Sequence, residues 1–137
     1  MLNSFKFHHI GVAVNDIEST ATVYMNGGYL RSETLFDPIQ NVKICWLTKD
    51  GMPTIELLAP VNETSPVKKI LEKNGVSPYH ICYEVNDMDI VINNLRKQKY
   101  VMVCKPVPAV AIHNCRVCFL FNKYVGLIEL VESPAEI

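Results

Sequence analysis

The feature that most constrains this chain is an internal repeat. HHIGVAVNDIE, from His8, lines up with YHICYEVNDMD, from Tyr79, so that His9 finds its counterpart in His80, 71 residues later. Asn15-Asp16 then matches Asn86-Asp87. Further along, NVKICWLTKDGMPTIELL (from Asn41) aligns with NCRVCFLFNKYVGLIELV (from Asn114), which places Glu56 and Glu129 73 residues apart. The second copy carries two extra loop residues. At 137 residues the chain has the ordinary size of one domain, so the duplication is expected to lie inside a single compact unit covering 1–137.

Each copy shows the same order of periodicities. An alternating apolar stretch reads as a strand, and a helical pattern follows: Ile17, Ala21 and Tyr24 in one copy, Met88, Ile92 and Leu95 in the other. Asn15 and Asn86 stand where N-caps belong, with an acidic residue three positions on. Strand-like segments ending in IEL complete each copy, punctuated by Gly28, Pro38, Gly51, Pro106, Pro108 and Gly126. The expected fold class is α+β, with two tandem βαβββ modules at about 5–61 and 78–133. Between them Ser65-Pro66, then Val67, Ile70 and Leu71, then Asn74-Gly75, predict a short connector helix at about 65–74, capped at Ser65, with Pro at its first position and Gly past its end. The tail from Glu132 to Ile137 is expected to fray.

Composition narrows the function classes. The net charge is −1, and the basic residues are scattered, so the electropositive footprint of a nucleic-acid partner is absent. No stretch approaches the roughly 18 apolar residues of a membrane span, and the N-terminal segment interrupts its apolar run with two histidines; a cytoplasmic protein without membrane contact is expected. The five cysteines are odd in number and show no framework spacing, which fits reduced thiols. Cys115 and Cys118 form a C-x-x-C, yet residues three apart on a strand point to opposite faces and cannot easily share a metal.

Strand alternation selects the candidate ligands. His9 shares a face with Phe7 and Gly11, while His8 goes with Ile10 and Val12; His80 shares its face with Cys82 and Glu84. Glu56 and Glu129 each stand alone among apolar neighbours. A carboxylate inside Ile55-Glu56-Leu57-Leu58 or Ile128-Glu129-Leu130-Val131 is costly unless something positive compensates it, and the duplication keeps that cost twice. One divalent metal ion held by His9, Glu56, His80 and Glu129 is the simplest compensation. Two imidazoles and two carboxylates suit nickel, cobalt, zinc or manganese, with room for substrate oxygens. The competing account has two satisfied core histidines and two salt-bridged edge glutamates, but recurrence in register favours the metal.

The segments HHIGVAV, IELLAP, SPVKKILEKNG, YHICYEV and GLIELVE resemble the vicinal oxygen chelate superfamily, in particular its glyoxalase I and methylmalonyl-CoA epimerase group, over nearly the whole chain. The resemblance implies a U-shaped mixed sheet of two βαβββ modules around one metal, with the four residues above at the ligand positions. It also implies enolisation, in which a carboxylate removes the proton next to a carbonyl whose developing negative charge the metal stabilises. Glu129 is the first choice as base and Glu56 the second carboxylate. The ligand set His, Glu, His, Glu favours a lactoylglutathione lyase of glyoxalase I type acting on a hemithioacetal. The alternative is a methylmalonyl-CoA epimerase acting on an acyl-CoA thioester, to which SPVKKILEKNG and YHICYEV are more similar, although DPIQN puts Gln40 near the position where epimerases usually carry an acid. Glu56 argues against the extradiol dioxygenase branch, and a non-catalytic binding module is the remaining possibility. His113, Arg116 and Glu84 are candidate substrate contacts, with Lys43 the counterpart of Arg116 in the first copy. A homodimer is expected.

Overall fold

The computed structural model describes residues 4–137. The chain divides into two compact units, one from His9 to Tyr79 and the other made of His80–Ile137 together with residues 4–8. Its elements are β1 (Lys6–Ala13), α1 (Ile17–Asn26), β2 (Leu30–Arg31), β3 (Leu35–Asp37), β4 (Val42–Thr48), β5 (Ile55–Pro60), α2 (Pro66–Asn74), β6 (Ser77–Val85), α3 (Met88–Lys97), β7 (Val101–Ala109), β8 (Cys115–Asn122) and β9 (Gly126–Glu132). Among the described residues no helix is long and apolar enough to cross a membrane.

In the 9–79 unit the strand order is β2-β4-β5-β1, with β3 also paired to β4. β1 runs parallel to β5, as it must when a helix carries the chain back to the same end of the sheet, while β4 is antiparallel to β2, β3 and β5. Alternation gives the sheet two characters. Val12, Cys45, Leu47, Leu57 and Ala59 point to one face and pack with Ile17 and Ala21 of α1 into a buried cluster. The residues between them, Gly11, Trp46 and Glu56, form the other face.

The second unit repeats the arrangement in the order β6-β9-β8-β7, with β6 parallel to β9 and the remaining pairs antiparallel. Met88, Ile92 and Leu95 of α3 bury against Cys118, Leu120, Ile128 and Leu130. Each copy is therefore βαβββ, with one difference. Where the second has the continuous β7, interrupted by register shifts around Cys104, the first breaks its edge strand into β2 and β3. Asp37 accounts for the end of β3: its buried carboxylate accepts from the Ile39 and Gln40 amides and from the Gln40 side chain, folding DPIQN into a turn.

Three local expectations need correction. The helix caps are Asp16 and Asp87, one residue beyond the asparagines, because their carboxylates reach the third helical N–H, that of Ser19 and of Ile90, each at 3.1 Å. The connector helix forms, with Pro66 in its first turn and Gly75 at φ 69° receiving the chain beyond it, but Ser65 does not cap it. The Ser65 hydroxyl, 2% exposed, instead accepts from the Val61 and Asn62 amides and holds the preceding turn. Nor does the tail fray at once. The Ser133 N–H donates to Val85 O and its hydroxyl to Glu84, the Cys115 thiol donates to Pro134 O, and the His8 ring donates to Ala135 O at 2.8 Å.

Removing the Ser65 hydroxyl deprives two backbone donors of their acceptor. Ser65→Ala is expected to lower stability by about 1 to 2 kcal/mol in chemical denaturation, with an unchanged m-value.

Candidate metal centre

Each unit builds a buried histidine–glutamate pair on the sheet face away from its helix. In the 9–79 unit Glu56 lies in one cross-strand row with Gly11 of β1 and Trp46 of β4. His9, two residues before Gly11 and so on the same face, brings its Nε2 to 3.1 Å from Glu56 Oε1. His9 is fully buried and Glu56 is 4% exposed. The Trp46 ring stands edge-on to the imidazole, with centroids 4.9 Å apart and planes at 79°.

The second unit reproduces this in detail. Glu129 shares a row with Cys82 of β6 and Phe119 of β8. His80, two residues before Cys82, places Nε2 3.2 Å from Glu129 Oε1, and both residues are 3% exposed. The Phe119 ring is edge-on to the imidazole at 5.2 Å and 84°. The physical problem is the same in both halves. A carboxylate taken out of water needs a positive partner or dedicated donors, and an imidazole nitrogen aimed at it supplies either one N–H or, when deprotonated, a second electron pair for a shared cation. Each half thus offers one imidazole nitrogen and one carboxylate, donors of the kinds that borderline first-row ions accept, so the residues present fit a divalent metal.

Residues 8–119 match the Glyoxalase/Bleomycin resistance protein/Dioxygenase superfamily. The chain belongs to that superfamily. Among its relatives, human mitochondrial methylmalonyl-CoA epimerase is 31% identical over 96% of this chain and 76% of its own length. The ethylmalonyl-CoA/methylmalonyl-CoA epimerase of Cereibacter sphaeroides is 32% identical over 86% of this chain and 89% of its own. A variant of the Streptomyces coelicolor methylmalonyl-CoA epimerase in complex with 2-nitronate-propionyl-CoA superposes with a TM-score of 0.81 at 30% identity, covering 95% of this chain and 98% of that one.

These similarities support the α+β fold of the glyoxalase/bleomycin-resistance class. They also correct the order of the two activities implied by the ligand set: the relatives are epimerases, and lactoylglutathione lyase activity finds no support among them. The reason lies in what the ligands encode. Both activities were expected from the same four donors, so those residues alone could not tell the two substrates apart.

The other candidate contacts separate by face. Glu84 stays on the His80 face, beside Val131 in register, and accepts a hydrogen bond from Ser133 Oγ. His113 is exposed at the end of the short helical turn Val110–Ile112, its backbone left-handed at φ 50°. Arg116 points to the helix side, since it alternates with Val117 and Phe119 and lies in register near Glu132 rather than Glu129. There its guanidinium donates two hydrogen bonds to Glu132 and pairs with Asp89, while Glu132 also accepts from the Met88 N–H. Its charge is engaged at the start of α3, which removes Arg116 from the set facing Glu129; Lys43, its counterpart, is exposed on β4. Cys118 is inert for a related reason: burial, then the Glu129 charge, pushes its thiol up to about 12.

Trp46 and Phe119 are the site residues that sequence reasoning missed. The signal was present, because each precedes its glutamate by ten residues in the aligned segments.

The Arg116 fork holds the Glu132 carboxyl below its ordinary range, helped by the Met88 N–H. A carboxyl depressed in the folded state stabilises above its unfolded pKa and loses that contribution as pH falls through the folded value. Melting temperatures recorded from about pH 6 down to about pH 3 are therefore expected to fall less steeply for Arg116→Ala than for the wild type, most clearly below the usual carboxylate range.

Proposed function

We propose that this chain is a metal-dependent epimerase of methylmalonyl-CoA or a close 2-alkylmalonyl-CoA, with His9, Glu56, His80 and Glu129 jointly holding one divalent ion in a single domain. The observation that carries the proposal is the buried histidine–glutamate pair repeated in both modules of a chain similar along its length to enzymes of that name.

The chemistry asks for little else. The hydrogen at C2 of a 2-methylmalonyl thioester is acidified by the thioester carbonyl, but its removal leaves negative charge on the thioester oxygen, beside an already negative carboxylate, that water alone stabilises poorly. A divalent ion held by these residues supplies positive charge for that oxygen. Glu129 is assigned to take the proton from one side of C2. Glu56, its counterpart in the first module, is assigned to return a proton to the opposite side, which inverts the centre with no net change in atoms or electrons. The reverse reaction exchanges the two roles. Both carboxylates lie in apolar surroundings that exclude water and favour proton transfer over hydration.

The test is to incubate the cobalt-loaded protein with one epimer of methylmalonyl-CoA in heavy water and to follow the other epimer together with deuterium at C2. Both are expected to accumulate, and Glu129→Gln is expected to slow them at least 100-fold, about the lower limit of a general base's contribution, with the fold retained by circular dichroism. Glu56→Gln is expected to cost less. Wild-type rates in Glu129→Gln would remove that residue from the mechanism, and turnover of methylglyoxal plus glutathione in place of the thioester would overturn the substrate. Dialysis against a chelator is expected to abolish epimerisation and added cobalt to restore it.

A further inference from the structure

We propose that Trp46 and Phe119 are positioning residues that hold the His9 and His80 imidazoles in the orientation metal binding requires, and that they raise the affinity of the site through those imidazoles. The inference rests on the metal reading above and adds to it two residues that are not metal ligands.

Three observations converge. Each aromatic residue is the cross-strand neighbour of the glutamate of its own half, Trp46 of Glu56 and Phe119 of Glu129. Each meets the histidine of that half edge-on, at 4.9 Å and 79° in one case and 5.2 Å and 84° in the other. Each occupies the same place in the repeat, ten residues before the glutamate. Two copies that have diverged at most positions retain the same three-part arrangement of imidazole, carboxylate and aromatic wall.

The physical reason is torsional. A histidine on a strand can rotate about χ2, a broad torsion with roughly two-fold preference, and turning the ring swings Nε2 away from its carboxylate. An aromatic ring set perpendicular to the imidazole favours one orientation, since edge-to-face pairs gain about 0.5 to 1.5 kcal/mol beyond their buried area. Ordering the ring before the ion arrives removes an entropic cost from binding. The row neighbours are complementary in size: the larger ring, Trp46, shares its row with Gly11, and the smaller, Phe119, shares its row with Cys82.

Trp46 is the chain's single tryptophan, so it also reports on the site. Cobalt(II) titrated into the apo protein is followed by calorimetry and by Trp46 fluorescence, which a transition-metal ion against the adjacent imidazole quenches. The wild type is expected to take up one ion per chain with quenching. Trp46→Leu and Phe119→Leu are expected to bind about 10-fold more weakly, the upper end of what an edge-to-face pair contributes. Trp46→Phe and Phe119→Tyr, which keep a ring, are expected to stay within a few-fold of the wild type. Leu120→Ala, in the helix-side cluster, lowers the melting temperature without touching either ring and is expected to leave cobalt affinity unchanged. Wild-type affinity in both leucine variants overturns the positioning role while leaving the metal reading intact. A wild-type protein that gives neither heat nor quenching removes the metal reading itself. Should Trp46→Leu fail to fold, Phe119→Leu, whose ring is only partly buried, carries the test.

Discussion

The structure depends on keeping two carboxylates out of water. Glu56 and Glu129 are each almost completely buried on a sheet face, with leucines and isoleucines before and after them in the strand. Uncompensated, either would cost several kcal/mol or simply take up a proton. The imidazole two strand positions from the row neighbour is the first compensation in each half, and an aromatic ring stands edge-on to that imidazole. The geometry of strands makes such a triplet possible. Cross-strand neighbours share a face, so three side chains from three strands converge without any loop having to be ordered for the purpose.

That convergence is available because the helices claim the opposite face. α1 and α3 supply the apolar residues that bury Leu57 and Leu47 in one unit and Leu130 and Leu120 in the other, while Ile44, Leu58, Val117 and Val131 are buried on the face that carries the glutamates. The repeat extends even to the cysteines: Cys45 and Cys118 occupy equivalent places in the two helix-side cores, where they serve as small apolar residues. The halves differ at their edges instead. The first ends in two short strands around an Asp37-centred turn, and the second in a long, irregular β7.

Most of this was legible in the chain because period and repetition are properties of order alone. Strand alternation separated His9 from His8 and placed His80 with Glu84, and the aligned IEL segments exposed both buried glutamates. What was hidden depended on reach across space. The choice of Asp16 over Asn15 as cap turns on which side chain reaches Ser19, and the orientation of Arg116 on which row of β9 it meets. The anchoring of the tail joins His8 to Ala135, a pairing that no local pattern announces. Trp46 and Phe119 were overlooked for a different reason: an aromatic residue in a strand is so ordinary a core element that only its contact with a histidine marks it out. The activity lay deepest, because the four donors alone left two reactions open.

The placing of the rings and carboxylates on the face away from the helices has an evolutionary consequence. Substitutions on the side of the rings and carboxylates can alter charge, ion preference or substrate while the helix-packed side goes on supplying the folding energy, so new chemistry can be sampled on a scaffold that need not be reinvented. Duplication widens that freedom, since one copy can drift while its twin preserves a working triplet. A lineage built this way is free to branch into many catalysts of one shape.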